Sequence, residues 1–304
     1  MPSIRRRTLL TALALAGGAR AQPAMWRDAR RDRTLPVLVR LPEQDAPAPA
    51  VLISHGLGGS RAGLGYLGRA CAGAGFVAIH LQHPGTDAAV WQDAADRRIA
   101  LATAMLDVGN AVARLHDASF VLDTLDARPE LRGRVDAQRA AIAGHSFGAW
   151  TVQHMLGQRL PGVRDDLPPL PDPRLAAGIA LSPTGALGLP PRLAFARMAA
   201  PILYVTGTQD RGYVEGVTPE DRQIPYRSST APAALAVLDG AAHGSFADEP
   251  AAGARWADPT YHPRTAALCA AFLRAVLLDD PAARMSLLRA EMLAPGDRFE
   301  SRGL

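Results

Sequence analysis

An α/β fold with a mostly parallel central sheet and helices on both faces is predicted by three observations. Short apolar runs recur along the chain as strand candidates, helical patterns lie between them, and a glycine-flanked serine sits at one junction of the two. Strands that alternate with helices are joined by crossovers rather than hairpins, and crossovers lay helices over the faces of a parallel sheet. In such sheets ligands bind beyond the carboxyl ends of the strands.

After residue 21, segments 25–33 and 34–41 read as a β-hairpin, with Asp28-Ala29-Arg30-Arg31-Asp32 near its turn. Strands are expected at 51–54, 76–81, 140–144, 178–181, 201–207 and 233–238, each short, apolar and closed by polar or glycine residues. Helical patterns occupy 65–73, 98–125, 146–156 and 265–278, of which 98–125 is the longest periodic segment. The proline-rich stretch 160–173 and the loop 211–230 are the longest breaks, and both suit insertions at the rim of one sheet. Segment 182–198, with Leu187, Leu189, Leu193, Phe195 and Met198, reads either as a small lid or acyl-pocket wall or as plain cover for the sheet.

Gly144-His145-Ser146-Phe147-Gly148 is a G-x-S-x-G pentapeptide with the apolar run Ala140-Ala141-Ile142-Ala143 before it and the helix-like run 149–156 after it. A strand leading through a sharp turn into a helix is the nucleophile elbow of an α/β-hydrolase. The turn crowds the backbone, so glycines are needed where a Cβ would collide, and the serine Oγ stands exposed above the sheet. Ser146 is therefore the candidate nucleophile.

The acid and base should follow in the order Ser, Asp, His, each on a loop after a later strand. The expected strand 201–207 exits through Thr208-Gln209-Asp210, which makes Asp210 the acid candidate. Glu215, Glu220 and Asp221 lie nearby as substitutes, deeper in a Pro/Gly-containing loop with no strand behind them. The strand 233–238 runs into Asp239-Gly240-Ala241-Ala242-His243-Gly244, which places His243 on the same edge as the candidate base, and Asp239 reads as an ordinary turn aspartate. His116 and His154 fall inside helical patterns, and His262 comes too late in the chain. His243 would take the Ser146 proton, with Asp210 holding the imidazole tautomer.

Backbone donors for a tetrahedral oxyanion are expected at Phe147, just after the nucleophile, and at Leu57 in the glycine-rich turn His55-Gly56-Leu57-Gly58-Gly59-Ser60-Arg61 that follows strand 51–54. The same turn lacks the lysine of a G-x-x-x-x-G-K-[ST] loop and the G-x-G-x-x-G spacing, which argues against a nucleotide cradle. His80 and His83 invite a metal reading, but no Glu, Asp or Cys stands at a matching spacing. Neither a cofactor nor a metal is expected.

The N-terminus carries Arg5-Arg6-Arg7, an apolar run over 9–16 and Ala19-Arg20-Ala21, the pattern of an export signal cleaved after residue 21. Arg6-Arg7 resembles a twin-arginine signal, although three consecutive arginines also suit an ordinary secretory leader. The expected location is periplasmic or secreted, with residues 22–304 forming a single α/β-hydrolase domain. No apolar run approaches the ~20 residues a spanning helix needs. The formal charge of +4 falls to zero once the four arginines of residues 1–21 are removed, so the basic balance gives no reason to expect a nucleic-acid partner. All 33 basic residues are arginine, which reads as a compositional bias rather than a binding device. Cys71 and Cys269, in apolar helical stretches, read as buried small hydrophobes; a disulfide between them is the alternative if their helices share a face of the sheet.

Six stretches, His55-Gly56-Leu57-Gly58-Gly59-Ser60-Arg61, His83-Pro84-Gly85-Thr86-Asp87, Phe120-Val121-Leu122-Asp123, Gly144-His145-Ser146-Phe147-Gly148-Ala149, Thr206-Gly207-Thr208-Gln209-Asp210 and Thr218-Pro219-Glu220-Asp221-Arg222, together resemble the bacterial α/β-hydrolases often called predicted dienelactone hydrolases. That group is also similar to platelet-activating-factor acetylhydrolases, chlorophyllases and bacterial polyester hydrolases. The resemblance implies a serine carboxylester hydrolase with a small-molecule ester substrate and at most a small cap or lid. Dienelactone hydrolases carry a cysteine where Ser146 stands, so a short-chain ester is expected in preference to a lactone. An amidase or peptidase would use the same three groups, but no stretch is long enough for a propeller or large cap. A polyester hydrolase would need an aromatic-lined groove, for which Trp91, Trp150, Tyr213 and Tyr226 are the candidates. A non-catalytic binding protein should lack one of the three groups, and all are present.

Overall fold

The computed structural model describes residues 21–162, 165–212, 216–249 and 258–304. The expected export signal therefore lies, all but Ala21, outside the described residues, as do Tyr213 and Glu215.

The hairpin expected at the start is β1 (Ala21–Asp28) and β2 (Arg33–Arg40), and β3 (Ala48–Ser54) follows. A first helix, α1 (Gly65–Gly73), leads to β4 (Val77–Leu81); then come α2 (Ala89–Gln92), α3 (Arg97–Leu106) and α4 (Val108–Thr124) before β5 (Val135–His145). The second half runs α5 (Phe147–Met155), β6 (Leu175–Leu181), α6 (Pro191–Ala194), β7 (Ile202–Gln209), α7 (Ile224–Ser228), β8 (Ala233–Ala242), α8 (His262–Leu277), α9 (Pro281–Leu288) and β9 (Arg298–Arg302). Among the described residues the nine strands form one sheet in the order β1-β2-β4-β3-β5-β6-β7-β8-β9. The run from β4 to β8 is parallel throughout, and the antiparallel pairs are β1/β2, β2/β4 and β8/β9 at the margins.

Every residue of β3 and β4 is buried, as expected of central parallel strands covered on both faces. Side chains alternate between two cores with the two-residue period of a strand. Ala50 and Leu52 join Leu115, Ala118, Val121 and Val152 under α4 and α5, while Val51 and Ile53 join Leu67, Leu268 and Phe272 under α1 and α8. The sheet is thus a mixed, mostly parallel α/β layer with helices on both faces.

Several elements depart from the sequence reading. The expected helix 98–125 is two helices, because Asp107 accepts the Asn110 N–H at 3.0 Å and so starts α4, while its own N–H closes α3 on Thr103. An aspartate at a helix start satisfies donors the helix leaves free, and here that local bond overrides the continuous periodicity. The short helices α2, α6 and α7 and the elements α9 and β9 had no counterpart in the sequence reading; β9, with the sequence Arg-Phe-Glu-Ser-Arg, pairs only with β8 and needs no apolar run. Cys71 and Cys269 are, as expected, buried in the core shared by α1 and α8, where they are free thiols rather than a disulfide, with burial pushing the Cys71 thiol up to about 12.

Candidate active site

A sharp turn from strand into helix stands where the elbow is expected. Ser146 sits between β5 and α5 at φ 56° and ψ −113°, a left-handed conformation costly for a residue with a side chain. The turn is tight enough that a Cβ on Gly144 would lie 2.5 Å from the Gly148 carbonyl, and one on Gly148 would lie 2.0 Å from the Ser54 oxygen. The serine is held by its own N–H, which donates to the Leu181 carbonyl of β6 at 3.0 Å.

Two residues from later strands converge on it. His243 follows β8, and its Nε2 lies 3.0 Å from Ser146 Oγ. Its Nδ1 lies 2.9 Å from Oδ1 of Asp210, which follows β7 and is completely buried. A carboxylate only accepts, so Nδ1 is assigned the proton and Nε2 is left with a lone pair towards the serine. Asp210 is fixed from behind, since Thr206 Oγ1 donates to its Oδ2 at 2.8 Å. Burial would raise the Asp210 pKa, but the hydrogen bond from His243 and the charge of Arg222 outweigh it and hold the carboxyl below its ordinary range.

The neighbouring side chains steady this arrangement. His145 donates Nε2–H to the His243 carbonyl at 2.9 Å, and burial pushes its own pKa down to about 3, so it is a neutral strut. Arg222, nearly buried, has Nε 3.4 Å from Asp210 Oδ1 and Nη2 3.2 Å from His243 Nδ1, and donates through Nη1 to the Pro183 carbonyl at 3.1 Å. Because Nδ1 carries its own proton, the Nη2 approach is a donor–donor contact and no hydrogen bond, and the arginine is held by its attraction to the Asp210 carboxylate. No role was foreseen for Arg222, although it closes one of the six stretches that carry the resemblance.

Phe147 follows the serine directly, and Leu57 lies in the glycine-rich turn that approaches it. A Cβ on Gly56, next to Leu57, would stand 3.6 Å from Ser146 Cβ. Among the described residues neither the Leu57 nor the Phe147 N–H is taken by a backbone carbonyl, whereas Gly58 and Gly59 donate to Thr86 and Gly56. The loop that holds Leu57 is tied to the histidine loop where Glu249 accepts the Ser60 N–H at 2.7 Å and the Ser60 hydroxyl.

Behind the loop lies a second, wholly buried polar cluster that the sequence reading missed. Ser54 Oγ is 3.0 Å from His83 Nε2, and His83 Nδ1 is 3.0 Å from Asp117 Oδ2. The atoms repeat the order found at Ser146, but all three residues are at 0% exposure, which closes the cluster to any substrate. Asp117 also accepts from Arg31 and Arg33 of the β1–β2 hairpin. Burial raises its pKa, yet those bonds and His83 hold it well below the carboxylate range. Burial pushes His83 down to about 4. The overlooked signal was charge on an apolar stripe: Arg114 and Asp117 share a helical face with Ala111, Leu115 and Ala118.

The remaining candidates disperse. Asp221 accepts from the Thr218 N–H and hydroxyl and caps its own loop, Glu220 is exposed, and Asp239 serves its turn by accepting from Thr208. His80 and His83 do not converge: Nδ1 of His80 meets the Gly63 carbonyl, while His83 belongs to the buried cluster. Segment 182–198 splits between its two readings, with Phe195 and Met198 buried against the sheet and Leu187 and Leu193 exposed. Trp150 is buried against His154, Tyr226 meets Tyr204 edge to face, and Trp91 donates to the Gly58 carbonyl. No protein-family model matches the chain, and no curated protein matches it significantly.

Proposed function

We propose that this chain is an exported serine carboxylester hydrolase of the α/β-hydrolase fold, acting on short-chain esters through an acyl-Ser146 intermediate. The observation that carries the reading is the line of atoms from Ser146 Oγ through the imidazole of His243 to the buried Asp210, at 3.0 and 2.9 Å, on a strained strand-to-helix turn. A serine hydroxyl is a weak nucleophile until a base takes its proton, and His243 Nε2 is in reach to do so.

In the proposed cycle, Ser146 Oγ bonds to the ester carbonyl carbon as its proton passes to His243 Nε2, and the C=O electron pair moves onto oxygen. The Leu57 and Phe147 N–H groups face that oxyanion. Collapse breaks the bond to the alkoxide, which leaves with the proton from Nε2 as the alcohol. Water then attacks the acyl-serine, giving its proton to Nε2, and collapse releases the acid and restores Ser146. Asp210 stabilises the imidazolium at each stage without taking its proton. The short acyl preference and the ester class rest on the resemblance, and export rests on residues 1–21.

The test is hydrolysis of p-nitrophenyl esters from acetate to palmitate. Activity should peak at short chains and fall by about 10⁴-fold or more in Ser146→Ala. Turnover indifferent to that substitution would refute the mechanism.

A further inference from the structure

One side chain outside the Ser146–His243–Asp210 line reaches the supports of both proposed oxyanion donors. Arg114, on α4, is completely buried, and each of its three nitrogens is spent on them. Nη2 donates to the His55 carbonyl, two residues before Leu57, and to Ser54 Oγ at 2.9 Å. Nη1 donates to Thr86 Oγ1 at 2.8 Å, and the backbone carbonyl of Thr86 receives the Gly58 N–H, one residue after Leu57, also at 2.8 Å. Nε donates to Thr151 Oγ1 at 3.0 Å, and Thr151 Oγ1 in turn donates to the Phe147 carbonyl at 3.1 Å. The guanidinium carbon lies 4.7 Å from the centre of the Phe147 ring.

The two proposed donors belong to segments about ninety residues apart, one after β3 and one opening α5, and nothing in either segment alone sets their separation. A planar fork with five N–H groups in fixed directions can set it, because its bonds to both segments share one rigid frame. The Ser54–His83–Asp117 cluster holds the frame in turn: Ser54 accepts from Arg114, and Asp117 supplies the compensating charge. Burial lowers the guanidinium to about 9, opposed by Asp117 and Asp87, so the fork remains charged at neutral pH.

We propose that Arg114 is the positioning residue of the oxyanion site, fixing the Leu57 and Phe147 amides relative to each other, and that the buried Ser54–His83–Asp117 cluster serves as its anchor. This rests on the esterase reading of Ser146. A shift of the donors would be felt chiefly in the transition state, since the tetrahedral oxygen is where their geometry matters.

The experiment compares wild type with Arg114→Lys, Thr86→Val and Thr151→Val. The readouts are kcat and KM on p-nitrophenyl butyrate, Ki for a trifluoromethyl ketone that forms the tetrahedral adduct, and folded fraction by circular dichroism. Arg114→Lys keeps the charge and loses the fork; kcat should fall about 10- to 100-fold with KM changed less than about threefold. Ki for the ketone should rise in step with the loss in kcat/KM, and the threonine variants should show the same coupled change at smaller size. A folded Arg114→Lys with unchanged kcat and Ki overturns the proposal, as does a loss accounted for by the folded fraction alone. If Arg114→Lys does not fold, the threonine variants decide, and unchanged Ki in both overturns it. Ser146→Ala separates the two readings: activity that survives it defeats the esterase mechanism, whereas activity that needs Ser146 but ignores Arg114 defeats only the positioning role.

Discussion

A buried arginine against the proposed acid and base is the least expected single residue at the candidate site. Arg222 neutralises Asp210 at 3.4 Å and ties the Asp210 loop to the loop after β6 through Pro183. An ionised carboxylate without exposure requires such compensation, and removing one partner leaves the other charge stranded. Asp210 would retain Thr206 and His243, so Arg222→Met should cost about 1–3 kcal/mol, below the full penalty for a broken buried pair. It should also lower kcat, because the carboxylate that orients the imidazole loses one of its restraints. Urea unfolding and esterase kinetics on the same preparation check this; a variant as stable and as active as wild type would show Arg222 to be a bystander. Ser146, Asp210 and His243 were legible in the sequence because each follows an apolar strand at a glycine or polar exit. Arg222 and Arg114 were not, because their partners are carbonyls and hydroxyls of distant segments that carry no local pattern.

Among the elements, the elbow shows the tightest coupling between sequence and geometry. Gly148 on α5 passes so close to the end of β3 that a methyl group would overlap the Ser54 oxygen. Neither partner can retreat, since β3 is buried throughout and its Ser54 is bonded to Arg114 and His83. Gly148→Ala should therefore displace α5 and take Phe147 and Ser146 with it. The expected result is loss of Ser146 labelling by a fluorophosphonate probe, together with a fall in melting temperature; normal labelling would contradict the packing described. The parallel strands β3 to β8 were readable because short apolar runs closed by polar or glycine residues mark buried strands. The break at Asp107 and the strand β9 were not: a single cap interrupts a pattern that otherwise continues, and an edge strand with one neighbour has no need of an apolar signature.

At the scale of the whole molecule, buried histidines set the response to acid. His80, His83 and His154 are lowered to about 4 and His145 to about 3, chiefly by burial, whereas an unfolded chain titrates them near 6.5. Depressed folded values mean that the stability is fully present above about pH 6.5 and is lost as pH falls towards 4, because the unfolded chain gains protons that the folded one refuses. The slope should reach about 1.4 kcal/mol per pH unit for each histidine. Urea midpoints between pH 7.5 and pH 5 measure it, and His154→Gln should flatten it by one histidine's share; a pH-independent midpoint over that range would exclude the effect. Distance along the chain matters on the same scale. Ser146 meets His243 across 97 residues, and Ser60 meets Glu249 across 189. Contacts of such span carry a large loop-closure cost and belong to a topology that folds slowly. The Ser146–His243 contact thus needs β5 through β8 in place, so a chain truncated before β8 would lack the proposed nucleophile–base pair altogether.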